Sequence, residues 1–376
     1  MNLQTKIATK ESPQHPDRLS FLDSIRGVAA LAVLLEHVGS VLWPGFQLFV
    51  HNSFNFGKFG VAAFFLTSGF VIPFSLERGD SLRKFWISRF FRLYPLYWLS
   101  LAVVVGLYFA GVPGEFEPGF TSHLWRNIFV NATMLQQFVR VPHAEGLYYT
   151  LCMELALYLF LSFLFLKKWN RFSLSIAWFA SVVLAAAGVL VPLLAHRRIP
   201  MAGLFYFLCF FLGTVVYRNF TGTVSDKSLG LLFSFVAVGT LADVYCNYVL
   251  VKKANPDELF TFWAVALPWS VAVAVFLLAY VLRAHKFPQA FVWLGTISYS
   301  VYLFHPAVAR IVLLAPLPAA LAFFVVLAAV ILTAAFTYNF VEQPFIGFGK
   351  KIQRRGSDTF PRTPVEFKTA GCACNG

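Results

Sequence analysis

Long apolar runs separated by short polar stretches recur along this chain almost without interruption from Phe21 to Phe348. The hydrocarbon core of a bilayer is about 30 Å thick and takes about 20 helical residues to cross. Ten segments meet that need, near 20–43, 58–77, 85–111, 146–167, 172–195, 201–218, 228–250, 260–283, 291–313 and 317–346. The pattern predicts an all-α fold, a polytopic transmembrane helical bundle of about ten spans, with no internal repeat. It divides the chain into a cytoplasmic N-terminal arm (1–19), a membrane-embedded domain (20–348) and a cytoplasmic basic tail (349–376) expected to be largely disordered. The arm carries Lys6, Lys10, Asp17 and Arg18 and no apolar core, so it is not read as a cleavable signal peptide. The longest polar interruption, 112–145, is expected outside the membrane. Within it Leu124, Ile128, Leu135 and Phe138 approximate one apolar helical face, which predicts a stretch lying along the membrane surface.

Composition narrows the class further. Of 376 residues, 59% are apolar, 44 are Phe and only 12% are charged, a balance that no water-soluble domain of this size carries on its surface. The formal charge of +13 is no nucleic-acid footprint, because Lys and Arg sit in short clusters between the apolar runs. Those clusters favour alternate connections and both termini, and the positive-inside rule then puts both termini in the cytoplasm. Cys152, Cys209 and Cys246 fall inside apolar runs and only Cys372 and Cys374 lie in the polar tail, so no disulfide framework is expected. The Cys-x-Cys pair is two ligands short of a tetrahedral set, and no metal site is expected.

Charges inside spans are the informative exceptions, since burying one is costly unless it meets a partner or a wet cavity. Arg26 and His37, in the first span, are eleven residues apart. At about 100° per residue that brings them within about 20° of one face and about 16 Å apart along the axis. This stripe suits an elongated ligand with an anionic end near Arg26 and a reacting end near His37. The plain alternative is an arginine that snorkels and a histidine bonded to a neighbouring helix. Asp23, one turn before Arg26, is a candidate ion partner, and Glu36 is an acid beside His37. At the start of the third span, Arg83, Lys84, Arg89 and Arg92 stand among Trp86, Tyr94 and Tyr97. They are either interfacial anchors or, for Arg89 and Arg92, a grip on the phosphates of a nucleotide-like donor. The fourth span holds Glu154 near Tyr149 and Tyr158, an acid placed for proton transfer or for packing against Thr or Tyr. The ninth sets His305 before the helix-kinking Pro306, with Arg310 further along.

Taken together, these strings resemble the acyltransferase-3 family of integral membrane acyltransferases over nearly the whole membrane domain. Leu22-Asp23-Ser24-Ile25-Arg26-Gly27 leads to His37, and Phe64-Phe65-Leu66-Thr67-Ser68-Gly69-Phe70 and Arg89-Phe90-Phe91-Arg92-Leu93-Tyr94-Pro95 follow in the family's order. Glu154 in its aromatic-flanked helix, the string from Gly295 to His305 and Tyr338-Asn339-Phe340-Val341-Glu342-Gln343-Pro344 continue that order. The resemblance implies that Arg26 and His37 are essential, that Arg89 and Arg92 contribute to donor binding together with Arg26, and that Glu154 is a site residue. Around Glu154 the family usually has a Trp-Ser-Leu-Ser-Val-Glu-Glu type of string. Here Leu155 stands where the second acid is expected, which puts any role of that second carboxylate in doubt.

The expected activity is therefore transfer of an acyl group, foremost acetyl, from acetyl-CoA or another acyl-CoA to a hydroxyl of a cell-surface or exported carbohydrate or glycolipid. Acyl-CoA is a co-substrate and no bound cofactor is expected. The partners expected are acyl-CoA, the acceptor and membrane lipid, with no nucleic acid, and the expected location is a bacterial inner membrane. His37 is the expected base, since neutral imidazole is best matched to a hydroxyl proton near pH 7. Glu154 or Glu36 would orient it, and His305 or a backbone donor would stabilise the oxyanion. Ser68 and Tyr158 complete the candidate set. An acyl-histidine relay, a small acceptor such as a macrolide, and a proton-coupled transporter remain as alternatives.

Overall fold

The computed structural model describes residues 19–79, 81–112, 114, 116–251 and 260–355. Residues 1–18 and 356–376, with Cys372 and Cys374, lie outside the described residues. Among the described residues the ordered elements are all helical. They are α1 (Ser20–Leu42), α2 (Pro44–Asn52), α3 (Phe56–Gly79), α4 (Leu82–Phe109), α5 (Leu124–Ala132), α6 (Tyr148–Leu166) and α7 (Ser173–Ala195). Then follow α8 (Met201–Phe220), α9 (Asp226–Tyr245), α10 (Trp263–Val281), α11 (Gln289–Val312), α12 (Ala319–Thr337) and α13 (Gln343–Arg355). Ten of these have 19 residues or more and follow the ten predicted segments closely.

Among the described residues nine helices are also apolar enough to cross a bilayer, and α11 is the long helix that composition alone passes over. Its reason is packing: Ile297 through His305 is buried without a break, including Ser298, Tyr299, Ser300 and Tyr302. A helix surrounded by protein answers to its neighbours' hydrogen bonds and not to lipid, so its hydropathy is free to fall. Glycine sets how closely α11 lies on α1. A Cβ on Gly295 would stand 1.8 Å from the Asp23 carbonyl oxygen, and one on Gly27 2.6 Å from that of Phe291. Further along, His37 meets His305. Both contacts advance by ten positions, from 27 to 37 and from 295 to 305, so the two helices run parallel and in register over about 15 Å.

We call the end of the bundle where α1 starts proximal and the end where it finishes distal. At the proximal end Glu77, closing α3, accepts from both Nη atoms of Arg218 on α8 (2.9 and 2.5 Å), with Tyr217 and Asn170 each donating at 3.0 Å. At the distal end the Thr261 N–H donates to the His51 carbonyl (3.0 Å) and the Ile199 N–H to the Asn247 side chain (3.1 Å). Successive long helices thus alternate in direction, as hairpin-connected spans must.

Two expectations change. The stretch between α4 and α6 does not simply lie on the surface. The carbonyls of Asn131, Ala132 and Thr133 accept from Tyr97 (2.7 Å), Trp98 (2.8 Å) and Tyr94 (3.0 Å), near the middle of the 28-residue α4. Non-helical backbone survives at that depth only where protein satisfies it. Buried Asn131 does so internally, donating to the Pro142 carbonyl (2.9 Å) and accepting from the Ala144 N–H (3.0 Å). Leu124 and Ile128 turn inward, and the exposed apolar side chains of α5 are Trp125 and Phe129. The last predicted span is also longer than expected: α12 passes without a break through a π-type turn at Tyr338–Glu342 into α13. Pro344, which has no N–H, follows directly on this wider turn, a site where the regular helical hydrogen-bond ladder is already interrupted. The helix then runs to Arg355, past the point where the tail was expected to begin.

Candidate active site

Three cavities follow one another through the bundle beside α1. The distal one, of about 680 Å³, is bordered by Glu36, His37, Lys58, Glu145, Tyr149, Tyr302, His305 and Arg310. A neck of about 60 Å³ follows, bordered by Arg26, Phe64, Ser68, Glu154, Tyr299 and Tyr302. The proximal cavity, of about 640 Å³, is bordered by Asp23, Arg26, Arg92, Glu342, Gln343 and Lys350. Val61 and Tyr302 border both distal cavity and neck, and Arg26 borders both neck and proximal cavity. The three therefore adjoin in a row along α1, called the path below, with Arg26 and His37 on different members of it, as their spacing along one helix face requires.

In the distal cavity His37 Nδ1 lies 2.7 Å from His305 Nε2, with the two ring planes at 9° and centroids 5.0 Å apart, so the imidazoles meet edge to edge along the hydrogen bond. The His305 ring is itself anchored, its Nδ1 lying 2.9 Å from the Tyr302 carbonyl and 3.2 Å from that of Val301. Glu36 does not touch His37; it accepts from the Gly57 N–H (2.5 Å) and so caps α3, next to Asn55, which accepts from the Lys58 N–H (2.7 Å). Carboxylates at a helix N-terminus are stabilised by the exposed amides there. Across the cavity Glu145 pairs with Arg310 at 2.8 Å. Burial pushes the Glu145 carboxyl above its ordinary range, and Arg310 opposes this. Lys58 Nζ stands 4.0 Å over the Phe260 ring.

In the neck Glu154 accepts from Tyr158 and from Ser68 (3.3 Å), so these three candidates form one cluster. They are a group apart from the histidine pair. Arg89 and Arg92 separate as well: Arg92 borders the proximal cavity, whereas Arg89 is buried beside the Phe85 and Tyr158 rings, 5.4 and 5.7 Å from their centroids. Five charged residues on the path carried no assignment from the sequence, namely Lys58, Glu145, Arg310, Glu342 and Lys350. Each is visible as a charge at the edge of an apolar run, but pairings such as Glu145 with Arg310 or Glu342 with Ser300 (3.3 Å) join distant segments.

Comparison with known proteins follows the same lines. The family model described as "Acyltransferase domain" matches residues 19–340. A putative acetyltransferase of Acidianus two-tailed virus is 25% identical over 292 residues, covering 75% of this chain and 80% of its own. Nodulation protein 10 of Rhizobium leguminosarum bv. viciae is 24% identical over 75% of this chain and 81% of its own. Acyltransferase MdmB of Streptomyces mycarofaciens is 27% identical over 49% of each chain. No solved structure is significantly similar.

Proposed function

Since this chain belongs to the acyltransferase-domain family and is thus a membrane enzyme that moves acyl groups, we propose that it carries an acetyl group from acetyl-CoA, held at the proximal end, to a carbohydrate hydroxyl in the distal cavity. The observation that carries this reading is the row of adjoining cavities with Arg26, Arg92 and Lys350 at one end and the imidazole pair at the other, where Arg310 is already paired with Glu145. Arg26, Arg92 and Lys350 border the proximal cavity and suit the phosphates of a nucleotide thioester. The narrow neck suits an extended pantetheine arm, whose amides meet the polar groups of Ser68, Glu154 and Tyr299. About 16 Å of helix between Arg26 and His37 is of the order of that arm's reach.

His37 takes the proton of the acceptor hydroxyl as its oxygen attacks the thioester carbonyl carbon. The carbon–sulfur bond then breaks, and the proton passes from the imidazolium to the departing thiolate. A route through an acyl-imidazole at His37 uses the same placement, with the acyl group resting on the ring before the hydroxyl attacks. Basic residues gathered at the proximal end support a cytoplasmic face there, where acyl-CoA is made, in a bacterial inner membrane with both termini inside. We take residues 20–348, together with Lys350 just beyond them on α13, as the catalytic unit.

The test is purified protein in sealed proteoliposomes with acetyl-CoA and a panel of glycans. We expect free CoA thiol and a glycan heavier by one acetyl group, released together. Glycan moved across the membrane with no thiol release would overturn the reading in favour of a carrier.

A further inference from the structure

We propose that His305 is a positioning residue that fixes the tautomer of His37 and leaves the His37 Nε2 lone pair as the reacting atom. The argument starts at Pro306. Proline has no N–H, so the carbonyl four residues earlier loses its helical donor, and that carbonyl belongs to Tyr302. The structure supplies the donor from the neighbouring side chain: His305 Nδ1 is 2.9 Å from the Tyr302 oxygen and 3.2 Å from the Val301 oxygen. Carbonyl oxygens only accept, so Nδ1 carries the hydrogen. In neutral His305 that leaves Nε2 as an acceptor. His37 Nδ1 lies 2.7 Å from it and must therefore be the donor. The single basic atom remaining on His37 is Nε2, on a ring that borders the distal cavity. A proline in one helix thus dictates, through two imidazoles, which nitrogen of another helix reacts.

This also states what His305 does not do. With its Nδ1–H committed to backbone and its Nε2 bare, neutral His305 has no hydrogen to offer an oxyanion. Its contribution comes when His37 takes a proton, because the Nδ1–H of an imidazolium makes a stronger, charge-assisted bond to His305 Nε2. The partner plays the part that a carboxylate plays in a hydrolase triad, without a charge. The two glycines that let α1 and α11 touch place the rings in register for this.

The inference rests on His37 as the reacting group, and its test is chosen to stand apart from the transfer reaction. Diethyl pyrocarbonate acylates a bare imidazole nitrogen, so its rate of reaction at His37, located by peptide mass spectrometry, reports the lone pair with no acceptor needed. Two full-length variants are compared, both checked for abundance and monodispersity. His305→Gln keeps an acceptor oxygen at similar reach, and His305→Leu keeps volume but has none. We expect His37 in His305→Gln to react within a fewfold of the unaltered protein, and in His305→Leu about tenfold or more slowly. Acetyl-CoA turnover should follow the same order through kcat, with KM for acetyl-CoA unchanged. The cost should stay below the about 10⁴-fold seen when a triad loses a charged tautomer-fixing partner. Unaltered reactivity of His37 in His305→Leu overturns the proposal. So does a folded His305→Gln as unreactive as His305→Leu, since the imidazole itself would then be required. If instead the reactivity pattern holds but no acetyl transfer is found with any glycan, the proposed function fails and the positioning role stands.

Discussion

At the scale of single residues, the path separates groups that look alike in sequence. Arg89 and Arg92 are three apart, yet Arg92 borders the proximal cavity and Arg89 is buried beside Phe85 and Tyr158. If the donor phosphates sit in the proximal cavity as proposed, Arg92→Ala should raise KM for acetyl-CoA about tenfold or more with little change in abundance. Arg89→Ala should lower stability by about 1–3 kcal/mol, as loss of a buried side chain does, read as a lower thermal midpoint in detergent. Equal effects on KM from both would return them to one phosphate grip. His37 is the sharper case. His37→Gln keeps hydrogen-bonding reach but cannot take a proton at neutral pH, so acetylation per folded molecule should all but vanish while the protein inserts normally. A variant that retained most of its rate would make His37 structural.

At the scale of elements, the parallel pair α1 and α11 carries the two facing histidines, and backbone contact at Gly27 and Gly295 is what brings the two helices together. A methyl group at Gly295 would meet the Asp23 carbonyl oxygen at 1.8 Å, a contact that backbone cannot yield to without moving α11. Gly295→Ala should therefore cost about 1–3 kcal/mol and also slow acetyl transfer, since the histidines sit ten positions beyond the crossing (295 to 305). Gly230, in α9, is the control, because a Cβ there meets nothing within 4 Å. Gly230→Ala should be neutral or stabilising by up to about 1 kcal/mol through reduced chain entropy. Thermal melts of the two variants side by side decide whether the crossing is as tight as the backbone positions imply.

At the scale of the whole molecule, alternation of the long helices leads to a topology that reporters can read. Fusions after Lys168, between α6 and α7, and after Lys286, between α10 and α11, should report cytoplasm, and one after Pro142 should report the opposite side. The reverse pattern would place the cationic cavity away from the compartment where acyl-CoA is made and would sink the proposed direction of transfer. The Glu77–Arg218 pair belongs to this scale too, tying α3, α8 and the turn before α7 at the proximal end. It is two-point and partly buried, the geometry in which an ion pair holds helices in one arrangement.

The number, length and order of the long helices were legible from the chain itself, because lipid demands about 20 apolar helical residues per crossing and leaves few alternatives. So were the residues worth watching, since a charge inside an apolar run is costly unless it has a use. Even the separation of Arg26 from His37 along the path was there, being a property of one helix. What only the tertiary structure decided is which groups meet. Glu36 was a natural partner for His37 by adjacency, but neighbouring residues on a helix point about 100° apart, and Glu36 caps α3 instead. Glu154, whose contact with Tyr158 lies within one helix, was joined by Ser68 from α3, and the imidazole that faces His37 came from a helix 268 positions away. The same cause underlies the α4 to α6 segment, whose carbonyls found Tyr94, Tyr97 and Trp98. Local pattern governs what a segment must bury; which partner satisfies it depends on contacts between segments, and those are set by the packing of the whole bundle.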